Sequence, residues 1–381
     1  MKNIPNGRQL IDSKDLISVS KSLNNDMITT GDLVGKFENK IKSLLKPKFV
    51  KVCSSGTAGL HLALMAIDLK KNDVIIMPAI NFIAVYNMSK LIGAKIILAD
   101  VDKYTGQMTP ETLKQCIKIN KIKKIKAIIT MYLGGHPENI FEFYKIKKKY
   151  KCYLIEDACH ALGSKYNFNN KKIHVGSCEH SDICVFSLHP LKTITTGEGG
   201  VVCTNNKKLN SKVEILRSHG IKKSKKHWVY DVLYTGYNYR LSDINCALGL
   251  SQINKINFFI KKRNSVANIY YKKLNKKIHF PKYESKNLSS CHLFLINLKE
   301  KNINLKNKVI QSMAKSKIFL HYHYIPIFMM KKIFKDPNFK KEHYVGAIYY
   351  YNTAISLPIY VNLSLSKQHL IIKKLTKLIL N

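Results

Sequence analysis

A chain of 381 residues, 45% of them hydrophobic, can bury a full core and two or three domain-sized units, which argues against wholesale disorder. No apolar run approaches the roughly 20 residues that cross a bilayer, and the first ten residues lack the apolar stretch of a signal peptide, so a cytoplasmic protein without a membrane partner is expected. The net charge of +40 rests on 64 basic residues, of which only Arg8, Arg217, Arg240 and Arg263 are arginine. Nucleic-acid interfaces favour arginine for bidentate contacts to bases, and the basic runs at 121–126 and 147–151 are short and scattered. A solvated lysine-rich surface is expected, with no nucleic-acid partner.

In chain order, short apolar runs at 49–52, 74–77, 95–99, 127–131, 152–155, 183–186 and 200–203 alternate with helical stretches. Runs this continuous predict strands buried on both faces. Asn72-Asp73 and Gly93-Ala94 feed two of them as turns. The alternation predicts an α/β fold whose mainly parallel sheet is covered by helices on both sides. From about Asn254 the pattern changes to lysine-rich helices and β-like stretches at 291–298 and 318–324. Residues 25–253 are therefore expected to form a large domain and 254–381 a smaller α+β one, with residues 1–24 packing near the latter. The nine cysteines are scattered, without a Cys-x-x-Cys pair, which predicts reduced, mostly buried thiols and no metal site.

Three constellations carry chemistry. Cys53-Ser54-Ser55-Gly56-Thr57-Ala58-Gly59 is a glycine turn ahead of an apolar helix expected to start near Leu60. Such a turn gathers free N–H groups and the positive end of a helix dipole, a phosphate site or simply a connector. It matches neither a Walker nor a dinucleotide glycine pattern. Asp157 follows the apolar run 152–155, at the strand end where open α/β sheets hold their chemistry, with His160 three residues on; the pair also suits a helix cap and its first turn. Lys192 sits between an apolar strand and the turn Thr193-Ile194-Thr195-Thr196-Gly197-Glu198-Gly199-Gly200. A lysine against low-dielectric walls can lose its proton and attack a carbonyl.

The ordered set of glycine turn, Asp157-x-x-His160, Ser187-x-His189-x-x-Lys192 and Thr195-Thr196-x-Glu198-Gly199-Gly200 resembles the DegT/DnrJ/EryC1/StrS family of PLP-dependent sugar aminotransferases. Thr29-Thr30-Gly31, Asn81-Phe82-x-Ala84, Arg217-Ser218-His219-Gly220 and Gly236-Tyr237-Asn238-Tyr239-Arg240 follow in the family's order, so the likeness runs from about Ile4 to the last helix. It implies the aspartate-aminotransferase-like fold (fold type I) with pyridoxal 5'-phosphate as cofactor. Lys192 is implied as the Schiff-base lysine and proton carrier, and Asp157 as the partner of the pyridine nitrogen. Phe82 is implied to stack on the ring, His160 to lie near its phenolic oxygen, and Gly56, Thr57 and Ser187 to hold the phosphate. Asn238 is implied to reach the phosphate of a neighbouring subunit, hence a homodimer with shared active sites.

Arg217 to Ile221, Ala247 to Gln252 and His323 to Ile327 resemble the pseudaminic-acid branch of the family. The implied substrates are L-glutamate and a UDP-linked 2-acetamido-2,6-dideoxy-4-keto-hexose, contacted by Asp26, Met27, Ile28 and Thr29 and by His323, Tyr324, Ile325 and Pro326. Many aromatic tips in the second segment also suit plain packing. Other nucleotide 4-keto-6-deoxy sugars (legionaminic, perosamine or dTDP-sugar type) stay open, as does a non-catalytic regulatory relative. Two positions depart from the family pattern: Leu188 replaces an aromatic residue, and Asn6 replaces a tyrosine near the substrate pocket.

Overall fold

The computed structural model describes residues 3–224, 226, 228–274, 278–299, 302–331, 333 and 340–380. The apolar runs become β1 (Phe49–Cys53), β2 (Val74–Pro78), β3 (Lys95–Ala99), β4 (Ala127–Met131) and β5 (Tyr153–Asp157). A hairpin of β6 (Lys165–Phe168) and β7 (Lys171–His174) follows, then β8 (Ile183–Ser187) and β9 (Gly200–Thr204). Seven of these form one sheet in the order β1-β9-β8-β5-β4-β2-β3. Only β9 runs antiparallel to its neighbours, the other pairs being parallel.

Period-two alternation sends neighbouring side chains of one strand to two separate cores. Ile76, Ile128, Leu154 and Cys184 join one cluster. That face is covered by α2 (Asp32–Leu45) through Phe37, α5 (Pro110–Ile119) through Leu113 and α6 (Ile140–Tyr150) through Phe143. Ile75, Met77, Ile129, Ile155 and Val185 join the other, beneath α3 (Gly56–Ala66), α4 (Ala84–Ile92) and α7 (Lys207–Leu216). The sheet is thus buried on both faces, as continuous apolar strands require.

The opening residues divide between two layers. Ile4 bridges Ile318, whereas α1 (Ser13–Ser22) packs on α8 (Asp243–Ile253), Ser18 Oγ donating to the Ala247 carbonyl at 2.7 Å. Between α7 and α8 projects an exposed hairpin of β10 (Ile221–Lys223) and β11 (Tyr230–Val232). After α9 (Ile256–Lys273), a small antiparallel sheet joins β12 (Ile278–His279), β13 (Phe294–Leu298) and β14 (Ala354–Leu357). A third core lies there, filled by Val266 and Tyr270 of α9, Val309 and Met313 of α10 (Ile303–Lys315) and Ile371 of α12 (Leu365–Leu380). The helix α11 (Val345–Thr353) leads into β14.

Three local expectations are corrected. Residues 318–324 form no strand, because their ends serve different partners: Ile318 bridges Ile4 and His321 bridges Ser356. In the stretch 291–298 the ladder begins only at Phe294, since the Leu293 N–H is drawn to the Gly134 carbonyl at 3.2 Å. And α3 starts at Gly56 rather than near Leu60, because Ser55 caps it. Among the described residues no helix is long and apolar enough to cross a membrane.

Candidate active site

The C-terminal ends of β4, β5 and β8 meet the N-terminus of α3 around a cavity of about 420 Å³. Gly56, Thr57, Phe82, Asp157, His160, Ser187, Lys192, His323 and Tyr324 all line it. A larger hollow of about 530 Å³ lies along the outer edge strand β3, lined by aliphatic residues and lysines, and contains none of these groups. Size alone does not mark the site; the convergence of titratable groups at strand ends does.

At the start of α3, the Ser55 hydroxyl accepts the Ala58 N–H at 3.0 Å and the Ser55 carbonyl accepts that of Gly59. The N–H groups of Gly56 and Thr57, at the first helical positions, have no intrahelical acceptor and carry the positive end of the helix dipole. A Cβ on Gly56 would stand 2.8 Å from Ser187 Cβ and 3.2 Å from Cys159 Sγ. Glycine is what lets the turn reach the end of β8.

Lys192 lies on the loop after β8, held as a compact turn. The Leu188 carbonyl accepts from Thr196 N–H and from Thr195 Oγ1, the latter at 3.0 Å, and Lys192 N–H donates to the His189 carbonyl at 2.9 Å. From α8, Asn245 donates to the Thr196 carbonyl at 2.6 Å. Burial lowers the Lys192 ammonium below its ordinary value, opposed by nearby Cys159 and Asp157. Burial likewise raises the Asp157 carboxyl, opposed by Cys159, Lys192 and Asn81. The Asn81 amide that acts on it is itself fully buried.

His160 is held from two sides. Its Nδ1 accepts from the Gly134 N–H at 3.3 Å, which assigns the ring proton to Nε2, 3.0 Å from the Tyr324 hydroxyl. Burial holds His160 well below its ordinary range, so the ring is neutral at physiological pH. The same cause lowers His292, whose ring centroid is 4.2 Å from that of His160, and brings His323 down to about 3. Phe82 is 52% exposed at the mouth, 5.8 Å from the Tyr324 ring, and is not a core residue.

Other predicted residues lie elsewhere. Asp26, Met27, Ile28 and Thr29 sit on an exposed turn tied to α8, where Asp243 N–H donates to the Ile28 carbonyl at 3.0 Å. Ile325 is exposed and Pro326 leads into the core through Ile327, whose N–H donates to the Ala79 carbonyl. Neither lines the cavity. Asn238 is exposed, bridges Ser218, and does not line the cavity of its own chain. Asn6 is buried, its amide donating to the Ser356 carbonyl at 2.9 Å; Leu188 is wholly buried. His292, Cys159 and Met131 also line the cavity and went unread. Cys159 and Met131 adjoin readable strand ends, but His292 arrives from the edge of another sheet, beyond any local pattern.

The sheet order and the likeness to solved aminotransferases define a PLP-dependent transferase of fold type I. The model of the DegT/DnrJ/EryC1/StrS aminotransferase family matches residues 9–376, and the chain belongs to that family of PLP-dependent sugar aminotransferases. The UDP-4-amino-4,6-dideoxy-N-acetyl-beta-L-altrosamine transaminase of Campylobacter jejuni is 35% identical over 362 residues, 94% of this chain and 92% of the relative. Helicobacter pylori PseC, an aminotransferase involved in the biosynthesis of pseudoaminic acid, superposes with a TM-score of 0.90 at 30% identity over 99% of both chains. The PLP form of a putative sugar aminotransferase from Streptococcus pneumoniae gives 0.90 at 25% identity, again over 99% of both.

Proposed function

We propose that this enzyme moves the amino group of L-glutamate to the C4 ketone of a UDP-linked 2-acetamido-2,6-dideoxy-4-keto-hexose. The product, a UDP-4-amino-4,6-dideoxy sugar, would feed pseudaminic acid or surface-glycan synthesis in the cytoplasm. One observation carries the reading: Lys192, Asp157 and the α3 glycine turn converge on one cavity in a chain 35% identical to an altrosamine transaminase.

The residues suit the cofactor. The cradle at Gly56 excludes a Cβ, free N–H groups lie at a helix N-terminus, and a buried carboxylate suits a ring N–H. When bound, pyridoxal phosphate supplies an electron sink for the donor's α-carbon. In this reading Gly56 and Thr57 N–H and Ser187 Oγ hold its phosphate, Asp157 keeps the proton on its ring nitrogen, and Phe82 covers one ring face. His160 stands by the phenolic oxygen as a neutral donor. Lys192 Nζ would hold the cofactor and, as a free amine, would take the α-proton of the donor as general base. His323 and Tyr324 contact substrate inside the cavity, with Asp26, Met27, Ile28, Thr29, Ile325 and Pro326 outside it. A second copy of the chain brings its Asn238 to the phosphate. Support for that homodimer comes from large apolar side chains left exposed near it, among them Tyr230, Val232, Leu233, Met27 and Ile28.

The test gives the purified holoenzyme and glutamate a panel of UDP-, GDP- and dTDP-linked 4-keto-6-deoxy sugars. Amination of the UDP-2-acetamido sugar alone is expected. Preference for a GDP or dTDP sugar overturns the substrate, and covalent cofactor in Lys192→Ala overturns the lysine.

A further inference from the structure

Lysine supplies 60 of the 64 basic residues of this chain, and the planar guanidinium of an arginine offers donors on three nitrogens where an ammonium has one. Arg217 is ion-paired, with Nη1 at 2.6 Å from Glu38 Oε1 and 2.5 Å from the Val52 carbonyl. Arg263, on α9, is of another kind. It is 1% exposed, and no carboxylate lies within ion-pair distance of it among the described residues. Its hydrogen bonds all come from Nη1 and Nη2 and go to main-chain carbonyls, while Nε has no partner among the described residues. Nη1 reaches Ile359 at 3.1 Å, His292 at 3.4 Å and Cys291 at 3.5 Å, and Nη2 reaches Leu191 at 3.4 Å.

A buried cation without a counter-ion is costly, and burial brings this guanidinium down to about 10, still charged at neutral pH. Burial behind the loop, with the fork occupied by carbonyls, also removes it as a clamp for the donor's carboxylate. Its acceptors share a location instead. Leu191 immediately precedes Lys192, and His292 lines the cavity against the His160 ring. One planar group therefore joins the loop that carries the lysine to a second element lining the same cavity.

We propose that Arg263 is a positioning residue for the transamination: by holding the Leu191 and His292 carbonyls at once, it fixes the Lys192 loop against the His292–His160 wall. This rests on Lys192 being the cofactor lysine. A lysine at 263 would bring its three donors from a single nitrogen, whereas the His292 and Leu191 carbonyls are met by two separate ones, Nη1 and Nη2, so the conservative change is not conservative here.

The test uses wild-type, Arg263→Lys and Arg263→Met holoenzymes. Borohydride trapping and peptide mapping of the wild type first locate the covalent cofactor; label on another residue would sink the Lys192 reading itself. With label on Lys192, the visible absorbance of the lysine-bound cofactor is titrated without substrate. Its midpoint is expected to move by about one pH unit or more in both variants. The single-turnover rate with glutamate should fall by about 10-fold or more, since a misplacement of ~1 Å can cost about 100-fold, while glutamate KM stays near that of the wild type. A wild-type midpoint and rate in either folded variant overturns the proposal. So does failure of both variants to fold, which would make Arg263 a folding residue only.

Discussion

Asp157 is buried, and burial and its neighbours act on its carboxyl in opposite directions. In the cofactor-free fold, burial raises its carboxyl, so the folded chain holds that proton to higher pH than the unfolded chain. The linkage sign follows: this group's contribution to stability is greatest below the ordinary carboxylate value and is lost as pH rises through the raised one. Asp157→Asn removes that titration, so the apoprotein should be as stable as wild type or more so at neutral pH, with a flatter pH dependence. Activity should move the other way. Losing a buried charge partner for the ring nitrogen is expected to slow the glutamate half-reaction by about 100-fold or more, some 3 kcal/mol of barrier. Thermal unfolding of the apoprotein between pH 5 and 8, beside single-turnover rates, checks both halves. An Asn variant less stable than wild type throughout would make Asp157 a structural anchor.

At the scale of the element, α3 has a first residue with no room and α2 an exposed glycine with plenty. Gly56→Ala drives a Cβ to 2.8 Å from Ser187 Cβ. Overpacking of that kind costs about 1–3 kcal/mol, and cofactor affinity should fall about tenfold or more as the turn is pushed off β8. Gly35, inside α2, meets nothing within 4 Å. Gly35→Ala should instead stabilise by about 0.5–1 kcal/mol and leave cofactor binding alone. Urea unfolding and cofactor titration of the two variants separate a cradle from a mere helix glycine; equal effects would refute the cradle. The elements themselves were legible because buried strands are written as apolar runs. Their ends were less so: Asp157 and Ser187 extend β5 and β8 with polar residues that serve the cavity. The hairpin β6–β7 was missed: Asn169-Asn170 take φ 48° and 59°, the positive values a type I′ turn needs, but without the glycine that usually signals one. In a chain rich in asparagine and lysine that signal is diluted. Residues 318–324 misled because their β-like composition suits a strand but their partners lie on two different elements.

For the whole molecule, the question is whether one chain makes a complete site. Asn238 is exposed and absent from the cavity of its own chain, beside a hairpin whose Tyr230 and Val232 are exposed. If two copies pair symmetrically through this face, each contributes to the other's site, and that arrangement has a consequence no single-chain site shares. Lys192→Ala removes the nucleophile from both sites of its dimer; Asn238→Ala removes the borrowed contact from both sites of its own. In a mixed dimer the defects coincide in one site. The chain that keeps Lys192 receives Asn238 from its neighbour and is intact. Equal amounts of the two variants, unfolded and refolded together so that subunits assort freely, should therefore recover about a quarter of wild-type activity, one intact site in half of the dimers. Asn238 acting within its own chain predicts no recovery above the mean of the two parents, because no mixed dimer would then hold an intact site.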